Sequence, residues 1–394
     1  MSSRTSALSL STPEARVRSG TVVLAVLATA HFWIDLYSSA LGVFQPMLVS
    51  KLGLSLTMVG ALGGALVFSS SVVQPLYGFA SDRWPSRLYS GLAPAVAGVF
   101  ICALGLAPSY GWALVLVLLG GAGVASFHPH ASARAAVTME RNRGRWMAVF
   151  ISAGTLGMAL GPLGLSQIIS GAGFEKVIWA ALPGIAASLL LLVFLPTERG
   201  RRERRGVDFA ALRKVRRPLT ILYLAVFLRS TVQIVFTHYL TLYLNHERGY
   251  SLGESAAILS LYLTFGAAGG FVGGHLSDRV GGRTTILASF LGSVPFLALF
   301  FWARGPLSVA GLALGGLILL FTIPVNVLMA QELVPTQAGT VSALMQGFAW
   351  GTAGLVFIPL VGWVSDHSSL HTALSALLVF PVAGYFLTRR LPKT

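Results

Sequence analysis

Gly78-Phe79-Ala80-Ser81-Asp82-Arg83-Trp84-Pro85-Ser86-Arg87 and Gly274-His275-Leu276-Ser277-Asp278-Arg279-Val280-Gly281-Gly282-Arg283 share one pattern, Gly-x-x-x-Asp-Arg-x-x-x-Arg, and each follows a long apolar stretch. The copies stand 196 positions apart, from Gly78 to Gly274, about half of a 394-residue chain. Such an offset predicts a duplicated unit, with each copy of the motif in a loop after the second helix of its half.

The stretches around the motifs decide what the unit is made of. Reading apolar blocks between charge clusters and Gly/Pro breaks predicts spans near 21–46, 56–80, 88–107, 110–133, 146–170 and 176–196. A second set follows near 218–244, 254–275, 284–303, 306–330, 339–364 and 370–388. Each is about the 20 residues that a helix needs to cross a hydrocarbon core. None alternates apolar with polar residues as barrel strands do. The chain is 55% hydrophobic and 10% charged, whereas a soluble domain carries about 25% charged residues. The expected fold is an all-α membrane protein of twelve transmembrane helices in two pseudo-symmetric six-helix bundles. The expected organisation is a cytoplasmic tail at 1–20, bundles at 21–196 and 218–388, a basic cytoplasmic linker at 197–217 and a short cytoplasmic tail at 389–394.

A net charge of +15 raises the question of nucleic acid, and the placement of the charge answers it. With the amino terminus inside, outer loops hold only Lys51, Lys176, Arg248 and Arg304, and Arg229 lies within a span. All other Lys and Arg fall in the tails and inner loops. That asymmetry is the positive-inside pattern, so both termini are expected in the cytoplasm and no nucleic-acid partner is expected. The amino-terminal residues lack the apolar core of a signal peptide and read as a tail. The one cysteine, Cys102, lies in an apolar span and reads as a small buried hydrophobe.

The repeated Gly-x-x-x-Asp-Arg motif resembles the signature of the major facilitator superfamily, and the resemblance covers the whole chain. It implies a gate at the cytoplasmic end, in which Gly78 and Gly274 let helices approach closely. Asp82, Arg83 and Arg87 would form ion pairs there with Asp278, Arg279 and Arg283. The first copy carries Pro85 where the family usually has Gly.

Ionisable residues inside spans cost about 2.5 to 3.5 kcal/mol each on insertion scales, so each asks for a reason. Asp35 is the one acidic residue at mid-span, and His31 precedes it by four positions on the same helix face. The two can share a proton, or they can form a static bridge between helices. The fourth span ends in Ser126-Phe127-His128-Pro129-His130, where Pro129 removes a backbone hydrogen bond and opens room for a polar ligand. Histidines on both sides of a proline could also bind metal. No third ligand or carboxylate stands near them in sequence, so no metal and no cofactor are expected. Arg229 lies too deep to reach water easily and needs either an anionic substrate or a partner, with Asp35 the obvious candidate. Gln45, Gln233, Asn326 and Trp33 are further candidates for lining a substrate site with Arg229, His128 and His130.

His31-x-x-x-Asp35, Phe127-His128-Pro129 and Gly157-Met158-Ala159-Leu160-Gly161-Pro162 resemble the fosmidomycin-resistance group of that superfamily. Members often carry Glu after the His-Pro, where this chain has His130. The Gly-x-x-x-Gly-Pro run also resembles the motif of drug/proton antiporters, in which Gly157, Gly161 and Pro162 serve tight helix packing. The resemblance implies a monomeric secondary transporter of a bacterial inner membrane, exporting a small drug or metabolite in exchange for protons taken up at Asp35 and His31. Two alternatives stay open: an importer or facilitator of a small organic anion or sugar, and a non-transporting receptor or scaffold. No nucleophile, base and oxyanion donors stand at recognisable spacing, so an enzyme is not expected.

Overall fold

The computed structural model describes residues 13–84, 86–138, 143–195 and 208–392. Most of the expected tail at 1–20, the first half of the linker at 197–217, Pro85, the last two residues and the side chain of Asp82 lie outside the described residues.

Among the described residues, twelve helices are long and apolar enough to cross a membrane. They are α1 (Gly20–Leu52), α2 (Leu56–Ser81), α3 (Leu88–Leu106), α4 (Tyr110–Ala135), α5 (Trp146–Ala172) and α6 (Phe174–Phe194), then α7 (Arg216–His246), α8 (Leu252–Val280), α9 (Gly282–Trp302), α10 (Gly305–Leu333), α11 (Pro335–His367) and α12 (Leu370–Thr388). The first six and last six form the two bundles. Twelve crossings return the chain to the face from which it started, here called the terminal face.

Two sequence expectations need correction. The first helix does not stop at 46: it runs to Leu52 with Pro46 inside it. A proline forfeits one hydrogen bond but does not stop a helix whose other faces are packed, and Phe44 and Leu48 on either side are fully buried. The repeated motifs are not loops after the helices but their last turns. Gly78 to Arg83 is helical, and so is Gly274 to Val280, where Gly281 at φ 85° turns the chain directly into α9.

The motif glycines occupy equivalent places. A Cβ on Gly78 would touch Pro129 of α4 at 3.7 Å, and one on Gly274 would touch Pro324 of α10 at 3.8 Å. The expected ion pairs are another matter. Among the described residues, Arg83, Arg87, Asp278, Arg279 and Arg283 pair with no described carboxylate. Arg83 lies 5.9 Å over the Trp84 ring, and Arg283 donates to the Arg389 carbonyl at 2.8 Å within its own half.

The reason lies at the other face. Among the described residues, every hydrogen bond that joins the halves sits there. Asp366, at the end of α11, accepts from the Leu56 and Thr57 backbone N–H groups, each at 2.8 Å, and from the Thr57 hydroxyl at 2.5 Å. Tyr239 of α7 donates to the Leu56 and Ile358 carbonyls at 3.5 and 2.9 Å. Glycine makes this approach feasible: a Cβ on Gly60 of α2 would lie 2.6 Å from the Tyr239 hydroxyl and 2.9 Å from the Ile358 carbonyl. The halves are thus fastened at the face opposite the termini, and at the terminal face Arg83, Asp278 and Arg279 of the motifs are exposed.

Candidate functional site

His31 and Asp35 are four residues apart on α1, one turn of helix, so their side chains share a face. The His31 Nε2 lies 3.3 Å from Asp35 Oδ2. The other carboxylate oxygen, Oδ1, lies 3.2 Å from Nε2 of His128 on α4. One carboxylate therefore sits between two imidazoles from two helices. The far nitrogens are also held: His31 Nδ1 faces the Phe150 carbonyl of α5 at 2.8 Å, and His128 Nδ1 faces the Val124 carbonyl at 3.1 Å. A carbonyl oxygen can only accept, so both Nδ1 atoms carry hydrogen and both rings turn Nε2 toward Asp35.

The surroundings are apolar and tight. The His31 ring stacks on Phe150 at 4.3 Å between centroids and lies 5.7 Å from Phe127. The His31 and Asp35 side chains are 9% and 11% accessible, whereas His128 is 28% accessible and forms the exposed side of the cluster. Helix α5 closes the back. A Cβ on Gly154 would lie 2.5 Å from both Asp35 Oδ2 and His31 Nε2, one on Gly157 would meet the Phe32 carbonyl, and one on Gly161 would lie 2.8 Å from the Ser39 hydroxyl. Gly154, Gly157 and Gly161 are one seam along α1, and Pro162 follows it inside the helix.

Filling that seam tests the packing directly. Gly154→Val is expected to destabilise the folded protein by about 1 to 3 kcal/mol, the usual range for overpacking. Gly171→Val on the same helix, where a Cβ meets nothing within 4 Å, should be near neutral in the same thermal-unfolding measurement. Equal melting temperatures for the two variants would contradict the seam.

The second cluster belongs to α7 and its neighbours. Arg229 donates through Nη1 to the Gln233 side-chain carbonyl, and it lies within electrostatic range of the Tyr262 phenol of α8. Arg229 Nε, the Ser230 and Ser260 hydroxyls, the Tyr262 hydroxyl, and both amide atoms of Gln45 and Asn326 are buried without a hydrogen-bond partner in the protein. Each such group costs about 1 to 3 kcal/mol if nothing polar meets it. A concentration of them marks surfaces built to meet something polar. Subtracting the repeat of 196 places Arg229 opposite Trp33, between His31 and Asp35, so the two charged clusters share a depth in equivalent helices.

The structure separates several residues that sequence reasoning grouped. His128, expected to contact substrate, is against Asp35. His130 is not with it: two residues along a helix is about 200° of rotation, and His130 instead shares a 2.7 Å hydrogen bond with Ser90 of α3. Asp35 is not the partner of Arg229: among the described residues its ion-pair contacts are His31 and His128, and Arg229 turns to Gln233. Trp33 stacks on Tyr37 at 6.2 Å. The expectation that no carboxylate approaches His128 fails, because helix packing brings Asp35 across 93 residues of sequence. Ligand atoms of His31, Asp35 and His128 all lie within 4.8 Å of one another.

Sequence reasoning also missed Phe150, Gly154 and Asp366. Gly154 alone had a readable signal, its spacing of three from Gly157.

Comparison with known proteins accounts for this architecture. Residues 27–359 match the Major Facilitator Superfamily. The chain is 30% identical over 375 residues to the uncharacterized MFS-type transporter YfnC of Bacillus subtilis (strain 168), covering 92% of this chain and 91% of that one. It is 29% identical over 394 residues to the fosmidomycin resistance protein of Escherichia coli (strain K12), covering 97% and 95%. Among solved structures, a bacterial homolog of the human lysosomal transporter Spinster, inward-facing and unoccupied, superposes with a TM-score of 0.74 at 17% identity over 97% of this chain and 98% of that one. Twelve crossings, a motif repeated at equivalent helix ends and a family match over most of its length make this chain a member of the Major Facilitator Superfamily, a multi-pass membrane transporter of small molecules.

Proposed function

We propose that this transporter is a proton-coupled antiporter that exports a small anionic drug or metabolite across a bacterial inner membrane. It works as a monomer with both termini in the cytoplasm, and needs neither cofactor nor nucleic acid. The observation that carries the reading is the His31–Asp35–His128 cluster. A buried carboxylate flanked by two imidazoles, with one imidazole at an accessible surface, is a chain of groups able to take up and pass on a proton. Arg229 supplies a positive group at the same depth in the other half, with Gln233, Tyr262 and Asn326 as neutral donors, which suits an oxyanion. On the positive-inside assignment the terminal face is cytoplasmic. His128 then meets the inner solution, and the Asp366 contacts close the outside. Alternating access would break those contacts and bring the motif charges of the two halves together.

The decisive measurement is proton movement across vesicles holding the purified protein, followed with a trapped pH-sensitive dye as phosphonates, carboxylates and sulfonates are added in turn. Antiport predicts proton flow only with an accepted anion, opposite to its movement. Arg229→Lys, which keeps the charge but loses the planar fork, is expected to raise the half-saturating anion concentration about tenfold, the loss of roughly one charge-assisted hydrogen bond. Exchange of labelled anion with no proton movement would identify a facilitator instead.

A further inference from the structure

Both histidines of the cluster are oriented as metal ligands are. A metal-bound imidazole normally gives its other N–H to a carbonyl or carboxylate, which fixes the ring and its tautomer. Here the Phe150 and Val124 carbonyls take the Nδ1 hydrogens of His31 and His128 at 2.8 and 3.1 Å. Both Nε2 atoms then face the two oxygens of Asp35.

The spacing agrees with coordination as well. Ligands about 2.0 to 2.1 Å from a tetrahedral ion are about 3.3 Å from one another. The two nitrogen-to-oxygen separations are 3.3 and 3.2 Å. The ligand atoms of all three residues lie within 4.8 Å of one another, so a small inward movement of the side chains would close them on one ion.

We propose that His31, Asp35 and His128 bind a single divalent transition-metal ion of the zinc type. Two imidazoles and one carboxylate favour Zn2+, Co2+ or Ni2+ over Mg2+ or Ca2+, which prefer all-oxygen sites. Three protein ligands leave the fourth position open for water or an anion. That position lies on the His128 side, because Gly154 and Phe150 close the other. His130 takes no part, being turned to Ser90. The bound ion would tie α1 to α4 and occupy the place proposed above for the proton. The two readings share residues but fail separately, since metal binding is an equilibrium property of the purified protein and coupling is read from flux.

The test uses tag-free full-length protein in detergent, titrated with Co2+ and followed by visible absorption, then displaced with Zn2+. Tetrahedral Co2+ gives intense visible bands, whereas ions held loosely by surface histidines stay octahedral and pale. One equivalent of intense Co2+ absorption is expected, abolished by Zn2+ and lost in His31→Asn and in His128→Asn. It should be retained in His367→Asn, whose side chain is at the opposite face. Absence of the band in the wild type, or its survival in either folded ligand variant, would overturn the proposal. Asp35→Asn, which keeps the shape of the side chain, provides a third ligand deletion should a histidine variant not fold.

Discussion

Asp35→Asn is expected to reduce proton-driven transport by more than a hundredfold while the protein remains folded and keeps exchanging its substrate between the two sides. The asymmetry follows from the chemistry of the site. Asparagine has the shape of aspartate and can still donate through its Nδ2 to one of the flanking Nε2 atoms, so the α1–α4–α5 packing has little reason to open. Removing a charge from an apolar span also removes a burden of about 2.5 to 3.5 kcal/mol on insertion scales, so a large drop in melting temperature is not expected. What asparagine cannot do is exist in protonated and ionised forms. Coupling is therefore lost while binding, carried by the Arg229 cluster, persists. The measurement pairs proton-gradient-driven accumulation with gradient-free counterflow in the same vesicles. Accumulation equal to wild type would remove Asp35 from the proton path, and loss of both activities would mean that the substitution damages binding or folding.

Much of this design is local in sequence and was readable there. Span number follows from apolar block length, and the duplication from the offset between Gly78 and Gly274. The His31–Asp35 pair needs only the helical period, and Arg229 is conspicuous as a cation in an apolar block. The unread parts are those that depend on which helices touch. His128 meets Asp35 only because α4 packs against α1, and nothing in the local pattern around His128 distinguishes the side facing α1 from the side on which His130 meets Ser90. Gly154 is one glycine among 44 until α5 is laid along α1. The motif misread has a different origin: Ser, Asp and Arg look like loop residues, yet they continue a helix whose polar end leaves the membrane. The absence of motif ion pairs among the described residues belongs to one conformation, which no sequence specifies singly: on the alternating access proposed above, the same charges would be apart in one state and together in another.

The interaction that selects this conformation is the one with the longest reach in sequence. Asp366 caps the N-terminus of α2 from 310 residues away, accepting two backbone N–H groups and the Thr57 hydroxyl. Free N–H groups and the positive end of the helix dipole both favour a carboxylate there. Glu247 does the same for α12, accepting from the Leu370 and His371 N–H groups at 2.6 and 2.8 Å, but both partners belong to the second half. The chemistry is equal and the consequence differs. Loss of the Glu247 cap weakens a fold that is the same in every access state, whereas loss of the Asp366 cap penalises only the state in which α2 and α11 meet. Asp366 is exposed, so its contacts together are worth about 2 kcal/mol rather than the sum of three buried charged hydrogen bonds. That corresponds to a shift of about 30-fold in the access equilibrium toward the form open at the opposite face. Gly171 on α5 and Gly253 on α8 offer label positions across the halves at that face, since a side chain at either meets nothing within 4 Å, and the sole native cysteine, Cys102, is buried. Spin labels there should give one short distance in the parent and in Glu247→Ala, and a predominantly longer distance in Asp366→Ala. Asp366→Asn, which keeps a neutral acceptor, should fall between. If Asp366→Ala leaves the distance distribution as it was, the cap is ornamental and the closure rests on the Gly60–Tyr239–Ile358 packing alone.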